Sequence, residues 1–297
     1  MYFKLNEKAR YFAIIFLPLL LSSCDGKKDK ESLQAQHYLI ERSQANMVKV
    51  KGGTFEMGDF GPLIDEKLPI SLGEDDKVLH KVTLDDFSIS KYKVTWQDYD
   101  VYLRAKNLSR PDLPPGNEDD GEKLQAPDMP AALNWQQAQD YCHWLGEVSG
   151  KKVGLPTEAQ WEYAARDGGK YVIYATDNGK YEEGRNVPST EQREEMTRMM
   201  FNYPVGKYPP TPLGLYDMAG NGVDWMQDWY AKDYYSHSAK KNPTGPETGT
   251  KKVLRGYEGG GGIFSNATVF RKSIDPALGN RSWYLPFYNA RCVMNNQ

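Results

Sequence analysis

The pattern of apolar and polar residues along this 297-residue chain indicates short strands in its first third. Apolar residues alternate with polar ones at Val48 and Val50, and again at Val82 and Leu84. A period of two is typical of a strand with one buried face. The Gly-Gly pair at 52–53 predicts a turn into another strand. The sequence therefore predicts several short strands before the first helix.

Helical spacing appears farther along, and each helix begins at a recognisable cap. Thr95 is placed as an N-cap, and Asn134 precedes a segment that Gly150 ends. Thr157 and Gln160 form the T-x-x-Q pattern of a capping box. In the segment after Asn134, four residues fall on one helical face: Trp135, Ala138, Cys142 and Leu145. We therefore expect helices over 96–106, 135–146 and 158–166.

Loops and turns dominate the rest of the chain. The sequence contains 27 Gly and 18 Pro, and helical periodicity almost disappears after Gly214. Hydrophobic residues make up 39% and charged residues 26%, which is ordinary for a globular protein. The composition excludes a helical bundle and a wholly disordered chain.

The N-terminus resembles a targeting segment. Lys4, Lys8 and Arg10 precede the apolar run 11–21, which is too short to span a bilayer comfortably. A basic region followed by a short apolar run is typical of a signal peptide, which we place at 1–23. The sequence L-S-S-C then ends at Cys24 and resembles a bacterial lipobox, in which the cysteine is lipidated. The alternative is a short buried helix with a chance cysteine.

We interpret residues 24–46 as the lipidated cysteine and a polar tether, and 47–297 as the folded domain. The chain is then a periplasm-facing membrane lipoprotein. Asp25 directly follows the lipidation site and resembles an inner-membrane retention signal, although the outer membrane stays open. The lipid provides the membrane contact.

Charge and cysteine content limit the partners. The net charge is −3, and residues 1–23 carry +2, so the remainder carries −5. No basic patch is evident, which excludes nucleic acid as an expected partner. With Cys24 lipidated, Cys142 and Cys292 remain. In an oxidising compartment they form either one disulfide or two buried thiols.

Seven segments, in order, resemble the formylglycine-generating enzyme family, also called the sulfatase-modifying factor family. They are GGTFEMG (52–58), KYKVTWQDYDVYL (91–103), LNWQQAQDYCHWL (133–145), GLPTEAQWEYAAR (154–166), PVGKYPPTPLGLYDMAGNGVDWMQDWY (204–230), NPTGPETGTKKVLRG (242–256) and ARC (290–292). The resemblance implies an α+β, C-type-lectin-like fold that is rich in loops, with a small antiparallel sheet and two main helices.

The catalytic cysteines of that family are missing here. Active members bind copper through a cysteine pair near the C-terminus, because thiolates are soft ligands for Cu(I) and good nucleophiles. No cysteine occurs between Cys142 and Cys292. We therefore expect no copper and no formylglycine-generating activity. An iron-dependent branch is also disfavoured, because none of the four histidines stands three or four residues from another: His37, His80, His143 and His237.

The resemblance implies two further features. In family members that carry both cysteines, the positions of Cys142 and Cys292 form a structural disulfide. The 214–225 segment matches a calcium loop, which would assign four ligands: Asp217, Gly220, Gly222 and Asp224. Calcium takes carboxylate and carbonyl oxygens. The alternative is a tight turn whose Asp side chains cap backbone N–H groups.

Loss of the catalytic pair favours a binding role. The former active-site region is rich in glycine and aromatic residues, and our candidates for contacts with a partner or ligand are Tyr257, Glu258, Phe264, Trp283 and Tyr284. The alternative is that these aromatic side chains are buried in the hydrophobic core. We favour a lipoprotein that binds a protein, resembling immunity proteins against secreted antibacterial toxins such as type VI lipases.

Two other functions stay open. One is a periplasmic enzyme with cysteine-independent chemistry that resembles family members assisting siderophore maturation, with four candidate groups: Glu258, Arg271, Asp275 and Arg281. The other is a surface ligand-binding or gliding-type lipoprotein of the same family. A neighbouring toxin gene, biosynthetic cluster or reverse transcriptase gene would discriminate among these.

Overall fold

The computed structural model describes residues 23–65, 67–111, 121–196, 202–256, 263–277 and 287–295. Ten strands form three small sheets: β1 Met47–Val50, β2 Gly53–Met57, β3 His80–Leu84, β4 Phe87–Ser90, β5 Val153–Gly154, β6 Val223–Trp229, β7 Lys252–Gly256, β8 Arg271–Ile274, β9 Tyr288–Asn289 and β10 Val293–Asn295. The helices are α1 Ser23–Ala45, α2 Trp96–Ala105, α3 Gly121–Leu124, α4 Trp135–Ser149, α5 Glu158–Ala165 and α6 Thr190–Met196. The architecture is α+β, with long loops, as expected.

The first sheet has the order β1-β4-β10-β5, and every pair in it is antiparallel. Strands β2 and β3 form a two-stranded antiparallel sheet. The strands on either side of the Gly-Gly turn are therefore both present, but they belong to different sheets. The third sheet has the order β8-β7-β6-β9, and its β6–β9 pair is parallel.

The capping predictions are confirmed. The Thr95 side chain accepts a hydrogen bond from the N–H of Asp98 at the start of α2. Asn134 and Thr157 each form a complete capping box, at α4 and α5. Gly150 ends α4 with a φ of 65°, a left-handed conformation that glycine adopts without steric cost. Two large buried tryptophans, Trp161 and Trp225, lie in the two main core clusters.

The segment interpreted as a polar tether is mostly helix. Residues 23–45 form α1, and its second half packs against α2 and α4. Leu39 is almost fully buried in the core, and Arg42 pairs with Asp98 of α2. Leu39, together with Ala35 packed against the same core, and the Arg42–Asp98 ion pair therefore dock a segment whose composition is polar. Among the described residues, no helix is both long and apolar enough to cross a membrane.

Candidate functional site

A buried network of charges lies where α5 meets β7 and β8. Glu158, the first residue of α5, receives two hydrogen bonds from Arg271, with Nε to Oε1 at 2.9 Å and Nη2 to Oε2 at 2.8 Å. Arg255 and the hydroxyl of Tyr235 also donate to Oε1, at 3.0 and 3.1 Å. Burial alone raises the pKa of Glu158, but the two guanidinium groups outweigh it and hold that pKa below its usual value.

Glu162, one turn later on α5, continues the network. Its Oε2 accepts from Nη2 of Arg255 at 2.6 Å. Its Oε1 accepts from Nη1 of Arg166 at 2.8 Å and from the N–H of Gly58 at 3.1 Å. Both glutamates therefore have their oxygens saturated by fixed donors. Removal of any one of these partners would leave an uncompensated buried charge, so the network ties α5 to β7 and β8.

Asp228 lies beside this network on β6 and carries a strongly shifted pKa. Its Oδ2 accepts a hydrogen bond from the N–H of Glu158 at 3.0 Å. Burial, and then the negative charge of Glu158, raise the pKa of Asp228 to about 8. The carboxyl is therefore largely protonated at neutral pH, and its role is to cap the first turn of α5.

The side chain of Lys252, the first residue of β7, lies between two indole rings. Its Nζ lies 4.0 Å from the centroid of Trp135 and 3.7 Å from that of Trp229, and it donates to the carbonyl of Gln227 at 2.8 Å. Burial lowers the pKa of Lys252 to about 8. The two rings therefore form a cation–π site that the chain fills with its own lysine.

Cys142 and Cys292 are joined by a disulfide. Both residues are buried, and their Cα atoms lie 5.6 Å apart. The chain has only three cysteines in all, so Cys24 alone stands outside this bridge. A pair of thiolates is therefore not available, and the residues present do not fit the copper centre of formylglycine-generating enzymes.

The hydrogen bonds of the four residues predicted as calcium ligands do not fit a calcium ion. Both oxygens of Asp224 are occupied by hydrogen-bond donors: Oδ1 by Nζ of Lys93 at 2.8 Å, and Oδ2 by Nε1 of Trp161 at 3.0 Å and Nε of Arg291 at 2.8 Å. The carbonyl of Gly222 also accepts from Nζ of Lys93, at 3.2 Å.

The other two predicted ligands are likewise tied into the turn. Oδ2 of Asp217 accepts from the N–H of Gly206 at 3.0 Å. Gly220 approaches the hydroxyl of Tyr203 so closely that a Cβ at this position would lie 2.6 Å from it. In the described part of the chain, no group of three or more His, Cys, Asp or Glu is placed to hold a metal. Asp217 accepts from a backbone N–H, as the alternative of a tight turn expects, whereas Asp224 accepts from the side chains of Lys93, Trp161 and Arg291.

Most of the predicted contact residues lie outside the described residues: Tyr257, Glu258, Trp283 and Tyr284. Phe264 belongs to a 3-10 helix, Ile263–Asn266, but its side chain is outside the described part. Two flanking residues can be placed. Gly256 and Tyr288 both pair with Val223, so they bracket the same end of β6.

A polar cleft of about 290 Å³ opens between the β3–β4 connection and the start of α5. Its walls carry carboxylates and amides, including Asp85, Gln160, Gln227 and Asn242. Asn242 is already committed, because it donates to Oδ2 of Asp85 and accepts from the N–H of the same residue. The described lining residues include neither a histidine nor a cysteine.

The 61–72 loop was not among the sites predicted from the sequence. Residue 66 of this loop lies outside the described part. Leu63, Leu68 and Leu72 project from this loop with 50%, 63% and 84% of their surface exposed. The available signal was a run of leucines without helical or strand period among Pro and acidic residues. At least half of the surface of each of these three leucines is therefore open to solvent on one loop.

The 61–72 loop is held in place by one buried carboxylate. Oδ1 of Asp59 accepts from the N–H groups of Gly61 and Ile70, each at 3.0 Å. Oδ2 accepts from the N–H of Ser71 at 3.1 Å and from Nζ of Lys77 at 2.7 Å. Burial raises the pKa of Asp59, but these donors outweigh it and hold the pKa below its usual value. The exposed leucines therefore project from a fixed backbone.

Comparisons with known proteins show which family this chain resembles in sequence. The family model of the sulfatase-modifying factor enzyme 1-like domain matches residues 35–281. The chain is 32% identical over 254 residues to the serine/threonine-protein kinase pkn1 of Chlamydia pneumoniae, covering 77% of this chain but only 34% of that protein. It is 26% identical over 259 residues to the formylglycine-generating enzyme of Thermomonospora curvata, covering 71% of this chain and 81% of that one.

Among solved structures, PvdO from Pseudomonas aeruginosa superposes with a TM-score of 0.66 at 26% identity, covering 84% of this chain and 94% of PvdO. The chain thus spans about a third of the length of the chlamydial kinase and nearly all of PvdO. With a family model that matches most of the chain, the fold and its motifs have one origin: the chain belongs to the sulfatase-modifying factor family.

Proposed function

We propose that this protein is a membrane-anchored member of the family that binds a protein partner and does not generate formylglycine. The observation that carries the proposal is the fate of its cysteines. Two of the three are joined in the Cys142–Cys292 disulfide, and the third, Cys24, lies near the N-terminus and is the proposed site of lipidation. The cysteine-pair chemistry of the family therefore has no thiols to use.

The 61–72 loop supports the binding role. Three exposed leucines on a backbone fixed by Asp59 lose little conformational entropy when a partner covers them. Preorganised apolar side chains are efficient contributors to affinity for that reason. Asp65 and Glu74 are exposed beside them, and the chain after residue 23 carries −5. We infer a partner whose surface has an apolar recess with a basic rim.

A secreted antibacterial toxin, such as a type VI lipase, is the partner we favour. A lipid at Cys24 would hold the domain at the membrane, where such an enzyme acts. Tyr257, Glu258, Phe264, Trp283 and Tyr284 are the proposed additional contacts. Their flanking residues, Gly256 and Tyr288, bracket one end of β6.

The test is co-purification of the tagged full chain from the membrane fraction of its own host. We expect a stoichiometric secreted protein with the wild type, and at least a tenfold lower yield of it with Leu68→Ser/Leu72→Ser. Leu108→Ser is the matched control, because Leu108 is 54% exposed on a different segment. Its yield should equal that of the wild type.

Equal recovery of the partner with all three proteins would remove the 61–72 loop from the interface. A wild-type preparation without any stoichiometric protein would contradict the binding proposal itself. Cys24→Ser is expected to move the protein from the membrane fraction to the soluble fraction, which checks the anchor independently of the partner.

The structural similarity to PvdO is the reason that the enzymatic alternative is retained. Two of its four candidate groups are committed, since Arg271 is bound to Glu158 by two hydrogen bonds and Oδ1 of Asp275 accepts from the N–H of Ala277. The other two, Glu258 and Arg281, lie outside the described residues. A biosynthetic cluster around the gene would favour this alternative over the binding role.

A further inference from the structure

Three oxygen atoms converge on one glycine at the end of the 61–72 loop. A Cβ built at Gly73 would lie 3.1 Å from Oδ1 of Asp75 and 3.1 Å from Oγ of Ser71. Oδ2 of Asp76 lies 3.4 Å from the same point. We call this place the acidic notch. Two carboxylates and a hydroxyl in this arrangement favour a group with several N–H donors.

The carboxyl oxygens that face the acidic notch lack donors. Asp76 is 1% exposed, and its Oδ2 has no hydrogen-bond partner in the described part of the chain. Burial raises the pKa of Asp76, and the nearby Ser71 hydroxyl and Lys77 do not offset that effect. Oδ2 of Asp75 accepts from the hydroxyl of Tyr230 at 2.8 Å, but none of the described residues donates a hydrogen bond to its Oδ1.

Lys77, the lysine beside the acidic notch, has no N–H donor to spare. Its Nζ donates to Oδ2 of Asp59 at 2.7 Å, to the carbonyl of Ser71 at 2.6 Å and to Oδ1 of Asp76 at 3.0 Å. An ammonium group has three N–H donors, and all three are used in these contacts. One positive charge is thus shared between two carboxylates, and neither contact reaches the oxygen of Asp76 that faces the notch.

Arg271 of β8 approaches the acidic notch from the other side without filling it. Its Nη1 donates to the carbonyl of Asp75 at 3.0 Å and lies 3.8 Å from Oδ2 of the same residue. Its Nε and Nη2 are bound to Glu158. The arginine therefore holds the backbone of Asp75 in place while most of its donors serve another carboxylate. The notch keeps an excess of negative charge.

We infer that the acidic notch receives the ammonium group of a lysine side chain from the protein partner, an inference that rests on the proposed binding function. Three oxygens around one point match the three N–H donors of a compact ammonium group better than the planar fork of a guanidinium. Gly73 is partly exposed, and Leu72 beside it is 84% exposed. Leu72 would pack on the methylene chain of the entering lysine.

The first test needs no partner and uses methylammonium chloride as the probe. Thermal unfolding of the full chain is compared in methylammonium chloride and in tetramethylammonium chloride, whose cation has no N–H donor. We expect the Tm of the wild type to be higher in methylammonium chloride, by about 2 °C at five times the Kd of the probe.

Gly73→Ala is the matched variant for this test. It places a methyl group among the three oxygens and keeps every charge, and the backbone accepts it because Gly73 does not have a positive φ. Its Tm should be the same in both salts. An equal difference in the two proteins, or no difference in the wild type, would overturn the inference. A Tm that rises in calcium chloride but not in methylammonium chloride would also overturn it.

The second test measures the Kd of the co-purified partner. Asp75→Asn removes one charge from the acidic notch and leaves an oxygen for the hydroxyl of Tyr230, and it should raise the Kd at least tenfold. Gly73→Ala should also raise it. Glu247→Gln is the control, because it removes one charge from an exposed position on another segment, and it should change the Kd less than twofold.

The outcomes separate this inference from the binding proposal. A partner that binds the wild type, Asp75→Asn and Gly73→Ala equally well would overturn the notch and leave the binding proposal standing. A wild type without any partner contradicts the binding proposal, and the methylammonium comparison then decides whether the notch binds ammonium groups. Carbodiimide treatment of the complex should join a lysine of the partner to Asp75 or Asp76, whereas crosslinks confined to Asp65 and Glu74 would place that lysine outside the notch.

Discussion

Buried carboxyl groups in this protein give its free energy of unfolding opposite dependences on pH. Glu158 and Asp224 have pKa values held below the usual range by arginine and lysine partners, so they stabilise the folded state above the acid range. Asp228 is the reverse case. Its pKa is raised to about 8, so the folded protein keeps a proton that the unfolded chain releases.

Asp228→Asn is expected to remove that opposite dependence. In the wild type, the stabilisation from Asp228 is complete below a pH of about 4 and is lost as the pH rises to about 8, at no more than about 1.4 kcal/mol per pH unit. The free energy of unfolding of the wild type should therefore fall relative to Asp228→Asn between pH 5 and pH 8. Urea unfolding of both proteins at several pH values measures this difference in the free energy of unfolding.

Asp65→Asn is the control for that series, because Asp65 is exposed in the 61–72 loop. Its curve should run parallel to that of the wild type. A parallel curve for Asp228→Asn as well would show that Asp228 is ionised in the folded protein at neutral pH, against the prediction. Lys252 lies near Asp228, and its pKa is lowered to about 8, so the two groups titrate in the same window.

At the scale of the secondary-structure elements, the local signals were decisive for three helices. Thr95, Asn134 and Thr157 cap α2, α4 and α5 as predicted, because an N-cap depends on residues only three positions away. The docking of α1 was not predicted, because it depends on Leu39 meeting a surface formed by α2 and α4. Composition alone describes such a segment as a tether.

The docking of α1 gives a prediction with a matched pair of substitutions. Leu39 is 1% exposed and Leu33, on the same helix, is 65% exposed. Leu39→Ala should lower the free energy of unfolding by about 2–4 kcal/mol, because it leaves a cavity against the core. Leu33→Ala should change it by less than about 0.5 kcal/mol.

Urea denaturation of the two variants measures the difference. Equal, small effects of Leu39→Ala and Leu33→Ala would mean that α1 is not docked in solution and acts as the tether that its composition suggests. The same result would make a protein that begins at residue 47 suitable for binding studies. With α1 docked, the binding experiments need the full chain.

The candidate site was predictable only where a motif carried it. The missing cysteine pair and the pairing of Cys142 with Cys292 followed from the family resemblance, and the structure has that disulfide. The calcium prediction considered Asp217 and Asp224 without Lys93, whose Nζ donates to Asp224. No local pattern relates a lysine before α2 to a turn more than a hundred residues later, so the sequence could not reveal that contact.

At the scale of the whole molecule, the disulfide connects α4 to the segment before β10, across 150 residues. In the chain-entropy model a loop of this length contributes about 4–5 kcal/mol to the free energy of unfolding. Cys142→Ala/Cys292→Ala should therefore lose about that much in urea denaturation. Urea denaturation of the wild type with and without reductant gives the same comparison without a substitution. A loss of less than about 1 kcal/mol in the free energy of unfolding would contradict the prediction.

The position of β10 sets the order in which this chain can be completed. Val293–Asn295 lies between β4 and β5 in the first sheet, so residues near position 295 join strands that were made some 140 and 200 residues earlier. Long-range pairing of this kind is slow to form. The first sheet stays open, with β4 and β5 unpaired on facing edges, until residue 295 has been synthesised. A chain exported while it is still being made would thus cross the membrane before its sheet closes.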